Sequence, residues 1–466
     1  MLCLGDVSDR NVGDYLNSLL TIATWLNLYI TSKRSQSAHE AIMKMKGILP
    51  VLLLACILLC GIGSIAQEKV PNGTDGLQLD VPSDSASYKK PALQVDAPFS
   101  TFRIGFGLIY DAATYKGNAV FDQQMDSLGS ELKANAKVRD FRLLVSGVFR
   151  SKRPISWKFA FMYDGALDAW LVRESGFTFG VPEIFSHVFI GRTKEGFSLI
   201  KVMNGHSPWM NERPASIDPI PILADGIKVF GFEPKTKIFW NLGAFNDVIS
   251  EGQGFSTFAW QYVARVGFLP IYDKESGTIL HVGTNLRYGK PINGTFSLKS
   301  RPESSPAPFI ITSGSFLADR SSHVGYEVYF AKNRFLVGSE GVVHKFYSSE
   351  GGDHRFYGGN VLLSYYLTRT ARPYRTEGNI FGFTSVRKSI FQGGWGEFEA
   401  VVNASMFNVN DGTVKGGELW RITPMLNWYM AKFMRMEFIY GYVIFDRYNL
   451  RGNAHVFETR IQFTVM

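Results

Sequence analysis

From Phe102 onward, large apolar residues alternate with small or polar ones, the period of strands whose two faces meet different surroundings. Phe102, Ile104, Phe106, Leu108 and Tyr110 share one face, against Arg103, Gly105, Gly107 and Ile109. Trp157, Phe159, Phe161 and Tyr163 oppose Lys158, Ala160, Met162 and Asp164. Phe258, Trp260, Tyr262, Ala264, Val266 and Phe268 alternate with Thr257, Ala259, Gln261, Val263, Arg265 and Gly267, and Leu280 to Tyr288 repeats the pattern around His281, Gly283, Asn285 and Arg287. Toward the C-terminus, Phe398 to Met406, Met434 to Ile444 and Phe457 to Val465 set apolar rows against Glu397, Glu399, Arg435, Glu437, Glu458 and Arg460.

Half-buried strands in water show this period too. The apolar face decides, because it carries large groups and almost no charge, while the opposite face carries isolated Arg, Lys and Glu among Gly, Ser and Asn. A closed barrel in a membrane pairs every backbone group and can hold water inside. The pattern therefore predicts an all-β, transmembrane antiparallel barrel over residues 99–466, and at roughly 20 to 25 residues per strand with its connection it has about 16 strands. Tyr429 to Phe433 reads as a short periplasmic turn, and Lys201 to Gly226, Lys290 to Ser322 and Thr368 to Gly393 read as outer loops.

The first hundred residues follow no such pattern. Met43-Lys-Met-Lys-Gly47, the apolar run Ile48 to Cys60 and the small residues of Gly63-Ser-Ile-Ala66 make residues 43–66 a secretory signal peptide, cut before Gln67. A lipoprotein cut before Cys56 is the competing reading, but it leaves a second apolar run, Ile57 to Ile62, at the new N-terminus. Residues 1–42 are read as an extension from a mis-assigned upstream start, and residues 67–98, rich in Asp and Pro, as a flexible periplasmic lead-in.

Composition narrows the function. Hydrophobic residues are 45% of the chain, too few for a polytopic helical membrane protein, while 37 Phe and 20 Tyr suit the aromatic girdles of a barrel. Cys3, Cys56 and Cys60 all precede the barrel, which excludes disulfide and thiolate-metal chemistry from it. The formal charge of +8 is spread along the chain, so nucleic acid is not a partner it suggests. The eight His include no His-Glu-x-x-His, Gly191 to Gly196 has Phe197 where a phosphate loop needs Lys, and no Gly-x-Ser-x-Gly elbow occurs. No enzyme, cofactor or metal site is expected.

Four stretches resemble the phosphate-selective porin O and P family, a bacterial outer-membrane porin family. They are His187-Val-Phe-Ile-Gly-Arg-Thr-Lys-Glu-Gly-Phe-Ser-Leu199 with Asn211-Glu-Arg-Pro214, Phe268-Leu-Pro270 with Leu280-His-Val-Gly283, Ser364-Tyr-Tyr-Leu-Thr368 with Arg372-Pro-Tyr-Arg375, and Gly417-Glu-Leu-Trp420 to Tyr429. The chain departs from the family motif at Arg192-Thr193, usually Gln-Phe, and at Gly196, usually Pro. The resemblance implies 16 strands, a homotrimer in the outer membrane of a Gram-negative cell, and a loop, here Phe197 to Asp225, folded inward as the constriction.

A pore that favours phosphate needs several cations in a narrow passage, since one exposed lysine is screened too well to discriminate. The constriction segment offers Arg192, Lys194, Lys201, His206 and Arg213, and the inward strand phase offers Arg265, Arg287, Arg421 and Arg435, beside Arg103, Arg142, Lys158 and Arg460. The bland alternative is that Glu397, Glu399, Glu437 and Glu458 neutralise the wall arginines in structural pairs. The expected function is passive diffusion of small anions, phosphate or polyphosphate among them. A general porin and a surface scaffold or adhesin without an open channel are the alternatives.

Overall fold

The computed structural model describes residues 93–465 apart from 166, 207, 250, 252–256 and 369. The expected signal peptide, the segment before it and most of the lead-in lie outside the described residues. Sixteen strands close a single antiparallel barrel. They are β1 (Thr101–Gly117), β2 (Asn135–Val148), β3 (Ile155–Asp164), β4 (Ala169–Val172 continued by Ser175–Val181), β5 (Ser186–Thr193), β6 (Ala224–Glu233), β7 (Ile238–Asn246) and β8 (Phe258–Asp273). The second half is β9 (Thr278–Pro291), β10 (Arg320–Lys332), β11 (Phe335–Tyr347), β12 (His354–Tyr366), β13 (Glu397–Asp411), β14 (Val414–Ala431), β15 (Met434–Arg447) and β16 (Leu450–Val465). Closure comes from β1 pairing with β16, from Phe106 opposite Val465 to Gly117 opposite Ala454. Gln94–Asp96, within the expected lead-in, adds a short strand beside the start of β1.

The alternating faces lie as the sequence pattern requires. Phe106, Tyr110, Phe159, Phe161, Tyr262, Leu286 and Phe457 face outward, while Asp111, Arg265, His281, Arg287, Glu399 and Arg460 are buried inside. Phe258 is a correction. A register shift between Phe258 and Trp260 reverses the phase at that step, so Phe258 turns into the lumen and packs 3.9 Å from the Arg287 guanidinium.

Direction alternates along an antiparallel barrel, so connections after odd-numbered strands share one end and those after even-numbered strands share the end where β1 starts and β16 finishes. Short turns and the termini of such barrels face the periplasm, and the longer connections face outward. By this parity the β12–β13 connection, holding the Thr368 to Gly393 stretch expected as an outer loop, lies at the terminal end. Connection length was a poor guide: the β13–β14 and β15–β16 turns, at the outer end, are two residues each.

The interior is largely filled. From the outer end, helix α1 (Ala119–Ser127) and the hairpin Thr295–Ser300 with Ile311–Leu317 bring Phe121, Met125, Phe296 and Ile311 against Phe346, Phe356, Phe407 and Phe445 of the wall. Nearer the middle, the β5–β6 and β12–β13 connections meet in a second apolar cluster that contains Leu199, Ile200, Met203, Trp209 and Phe381.

Candidate solute passage

Two local irregularities set the chemistry of one side of the lumen. Between β1 and β2 the register shifts, with Tyr110 opposite Val138 but Ile109 opposite Asp140, so Arg139 is an extra residue. The bulge sends adjacent Arg139 and Asp140 both inward, beside Lys137 and Arg142. A similar break at residues 173 and 174 in β4 lies between Phe161 opposite Val172 and Lys158 opposite Gly176. It places Arg173 and Glu174 together on the inner side, where Glu174 receives the Lys158 ammonium at 2.5 Å. Strict alternation would have sent one member of each pair to the lipid, and the sequence reading missed Arg139 and Arg173 for that reason.

The β5–β6 connection enters the barrel as expected. Its first turn, Leu199–Val202, is capped by Ser198 and tied to the opposite wall: Ser198 N donates to Asn285 Oδ1 at 2.9 Å and Ile200 N to Glu340 Oε1 at 2.9 Å. Gly196, where the family usually has Pro, leaves no room for a side chain, because a Cβ would lie 2.4 Å from the Asn241 amide. The segment then crosses to β14–β16, where its backbone oxygens accept from wall side chains: Asn427 to Trp209 at 2.8 Å, Arg435 to Pro208 at 2.7 Å and Gln462 to His206 at 2.8 Å.

The five loop and strand-end candidates do not form one ring. Arg192 is fully buried, 3.5 Å from Asp225. The Lys194 ammonium donates to the Met203 carbonyl within its own loop; burial and the neighbouring Arg213, Arg173 and Arg142 cations hold it well below the usual lysine range, with Glu174 opposing. Lys201 is buried with no hydrogen-bond partner for Nζ among the described residues, and burial, reinforced by Arg287, brings it down to about 7. His206 packs on Gly107 of β1, where any side chain would strike the ring, and bonds Asp140 at 2.9 Å and Thr464 at 2.6 Å. Burial and Arg142 bring it down to about 3, so it carries no charge at neutral pH. Arg213 is half-buried, with Nε donating to the Ile200 carbonyl at 3.4 Å; burial and the Arg139 cation lower it to about 10, leaving it charged.

The four wall arginines point inward as their phase requires, but each clamps an inserted connection. Arg287 meets Glu195 at 2.7 Å, and Arg435 holds the Pro208 carbonyl, both on the β5–β6 connection. Arg421 donates to the Pro302 carbonyl of the β9–β10 connection, and Arg265 to the Asn379 carbonyl of the β12–β13 connection at 2.8 Å. Arg265 also pairs with Glu327 at 2.8 Å, both fully buried. Their carboxylate partners are Glu195, Glu327 and Glu437 rather than Glu397, Glu399 or Glu458.

Solvent reaches charged lumen groups on the β2–β4 side instead. Lys158 is 34% exposed, Glu174 22%, Arg139 20% and Glu212 16%, against 0% for Arg265, Arg287 and their partners. Asp218 is exposed on the same side, and Lys137, Arg213 and Arg301 are half-buried. Glu212 is held ionised by Arg139 and by Arg460 at 2.6 Å, well below the usual carboxylate range despite its burial.

Residues 113–465 match the family described as phosphate-selective porin O and P. No curated protein matches the chain. Among solved structures it is similar to a loop L8 deletion mutant of OmpT, an outer membrane protein of Vibrio cholerae, at 11% identity, covering 78% of this chain and 99% of that one with a TM-score of 0.50. It is similar also to Salmonella typhi OmpF in complex with daunomycin, at 9% identity, covering 79% of this chain and 100% of that one, TM-score 0.50. Identities this low speak to the fold alone. With the family match spanning nearly the whole barrel, this chain belongs to the phosphate-selective porin O and P family and is an outer-membrane porin of a Gram-negative cell.

Proposed function

We propose that this porin conducts small anions, phosphate among them, down the β2–β4 side of its lumen, without catalysis or cofactor and driven by the solute's gradient. The carrying observation is the excess of cations over carboxylates on the side that solvent reaches. Lys137 and Arg301 stand toward the outer end, followed by Arg139 and Arg213 and then Lys158 and Lys228, all partly exposed, with Arg142, Arg173 and Lys194 buried behind them. Asp140, Asp164, Glu174, Glu212 and Asp218 are the acids among them, fewer than the cations. In a narrow, partly desolvated passage such a row raises the local anion concentration, and guanidinium forks fit phosphate oxygens. The interspersed carboxylates keep any one stop shallow enough for the anion to leave, as conduction demands.

The reversal potential of the purified porin in a planar bilayer under a salt gradient tests this reading, followed by phosphate added to chloride. Anion preference, with chloride current reduced by phosphate and both effects weakened by Lys194→Gln with Arg213→Gln, supports it. Cation preference, or a double variant with unaltered selectivity, sinks it. The homotrimer that the family resemblance implies is part of the proposal, and light scattering giving the mass of a single chain would remove it. A second reading, a surface scaffold without an open channel, draws support from the contact of Trp209 with Phe381, which joins connections inserted from the two ends of the barrel. The complete lack of conductance would select it.

A further inference from the structure

A second concentration of positive charge lies at the outer rim and faces away from the lumen. Tyr288 and Lys290 on β9, Arg320 and Ser322 on β10, Lys345 and Tyr347 on β11, and Arg355 and Tyr357 on β12 all belong to the outward phase. The registers place them side by side, Tyr288 opposite Ser322, Arg320 opposite Tyr347 and Lys345 opposite Arg355. Like charges directly opposed weaken a strand pair, and among the described residues the one carboxylate in ion-pair contact with this row is Asp353, 3.3 Å from Lys345. Lys290, Arg320 and Arg355 are exposed, and among the described residues none of them has a carboxylate in ion-pair contact.

Between β8 and β10 this row borders a groove of about 760 Å³, lined by Trp260, Tyr288, Lys290, Ile292, Asn293 and Arg320. Trp260 packs against Tyr288 at 5.8 Å and Tyr262 at 5.6 Å, which makes its inner edge an aromatic shelf on the lipid side. Asp247 and Asp319 also line it; the Asp319 carboxylate accepts from Ser349 N at 2.8 Å and Ser349 Oγ at 2.9 Å, and its charge offsets part of that of Arg320 and Lys290 without an ion-pair contact to either.

We propose that this groove binds the phosphorylated headgroup of an outer-leaflet glycolipid. Tryptophan and tyrosine on the outer face of a barrel sit at headgroup depth, so Lys290 and Arg320, one step further out, stand where a lipid's phosphate lies. Arg320 contributes a planar fork for phosphate oxygens and Lys290 a compact charge. Trp260, Tyr288 and Ile292 pack against the sugar and the tops of the acyl chains. A free ion at so open a rim would be screened, whereas a lipid already anchored beside the barrel adds its apolar contact to the charge pairing. The site is independent of the lumen and of what the porin conducts.

Native mass spectrometry of the whole porin in detergent tests the proposal, with a bis-phosphorylated glucosamine lipid, lipid A, as the probe. The wild type is expected to retain the lipid, and Lys290→Gln with Arg320→Gln to lower its occupancy by about tenfold or more, from the loss of two cations at an anionic headgroup. Single-channel conductance of the double variant stays at the wild-type value, which establishes that its barrel is folded. Equal retention by wild type and variant overturns the site. So does equal retention of the dephosphorylated lipid, and displacement of lipid A by millimolar inorganic phosphate would make this a free-anion site instead.

Discussion

Trp209, on a connection entering from the outer end, meets Phe381, on a connection entering from the terminal end, with ring centroids 5.6 Å apart and planes at 77°. Arg372, on the same connection as Phe381, lies 5.2 Å from the Trp209 ring and pairs with Glu399 at 2.9 Å. Two connections that enter from opposite ends, with strands β6 to β12 between them in sequence, thus meet inside the barrel, and the edge-to-face contact is a favourable aromatic geometry.

Removing this contact should open a second route. Phe381→Ala is expected to raise single-channel conductance at least about twofold while reducing ion selectivity, because the new path bypasses the basic side. It should also destabilise the barrel by about 3–5 kcal/mol, the usual cost of deleting a buried aromatic ring. Conductance recordings paired with thermal unfolding in detergent check both, and unaltered conductance would mean that the central lumen stays sealed without the ring.

The cations divide by role. Arg173→Gln should change the anion-to-cation permeability ratio by about twofold or more, because its charge borders the side that solvent reaches. Arg421→Gln should change that ratio little and stability more, since its guanidinium is buried and holds the Pro302 carbonyl. Reversal potentials of the two variants, compared at one salt gradient, decide it.

Arg287 and Glu195 form a buried pair at 2.7 Å, with Gln261 donating to the same carboxylate at 3.2 Å. Replacing one partner strands the other charge inside the barrel, so Glu195→Gln should lower stability by about 3–5 kcal/mol. Replacing both with methionine should recover most of that loss. Melting temperatures of the single and double variants form the test, and a double variant as unstable as the single one would contradict it.

Lys201 links stability to pH. Its ordinary value of 10.5 falls to about 7 in the folded protein, so between these values the folded chain holds it neutral while the unfolded chain binds the proton. Its contribution to stability therefore declines as pH falls from 10.5 to 7 and then levels off, the full penalty being present below 7. Lys201→Met should stabilise the protein by about 1–3 kcal/mol at pH 6 and progressively less toward pH 10. Chemical denaturation across that range reads the difference, and a gain constant with pH would show that the ammonium is not the cause.

The barrel itself was legible in the chain. A dyad of large apolar rows and small polar rows has only one arrangement that pairs every backbone group in lipid, and rows such as Phe159 with Phe161 and Glu399 with Asn403 could be assigned to outside and inside by period alone. The inward direction of Arg265, Arg287, Arg421 and Arg435 was equally readable, whereas the insertion of the segment after β5 was implied by the family resemblance and not by the period. Tertiary structure decided what those groups do. Bulges at Arg139 and at Arg173 break the period by one residue, a change that pairing registers reveal and composition does not. Which carboxylate each arginine meets depends on connections returning from far along the chain, such as Glu195 to Arg287. The end at which Thr368 to Gly393 lies depends on counting every strand before it, since in an antiparallel barrel direction is set by parity and length carries no record of it.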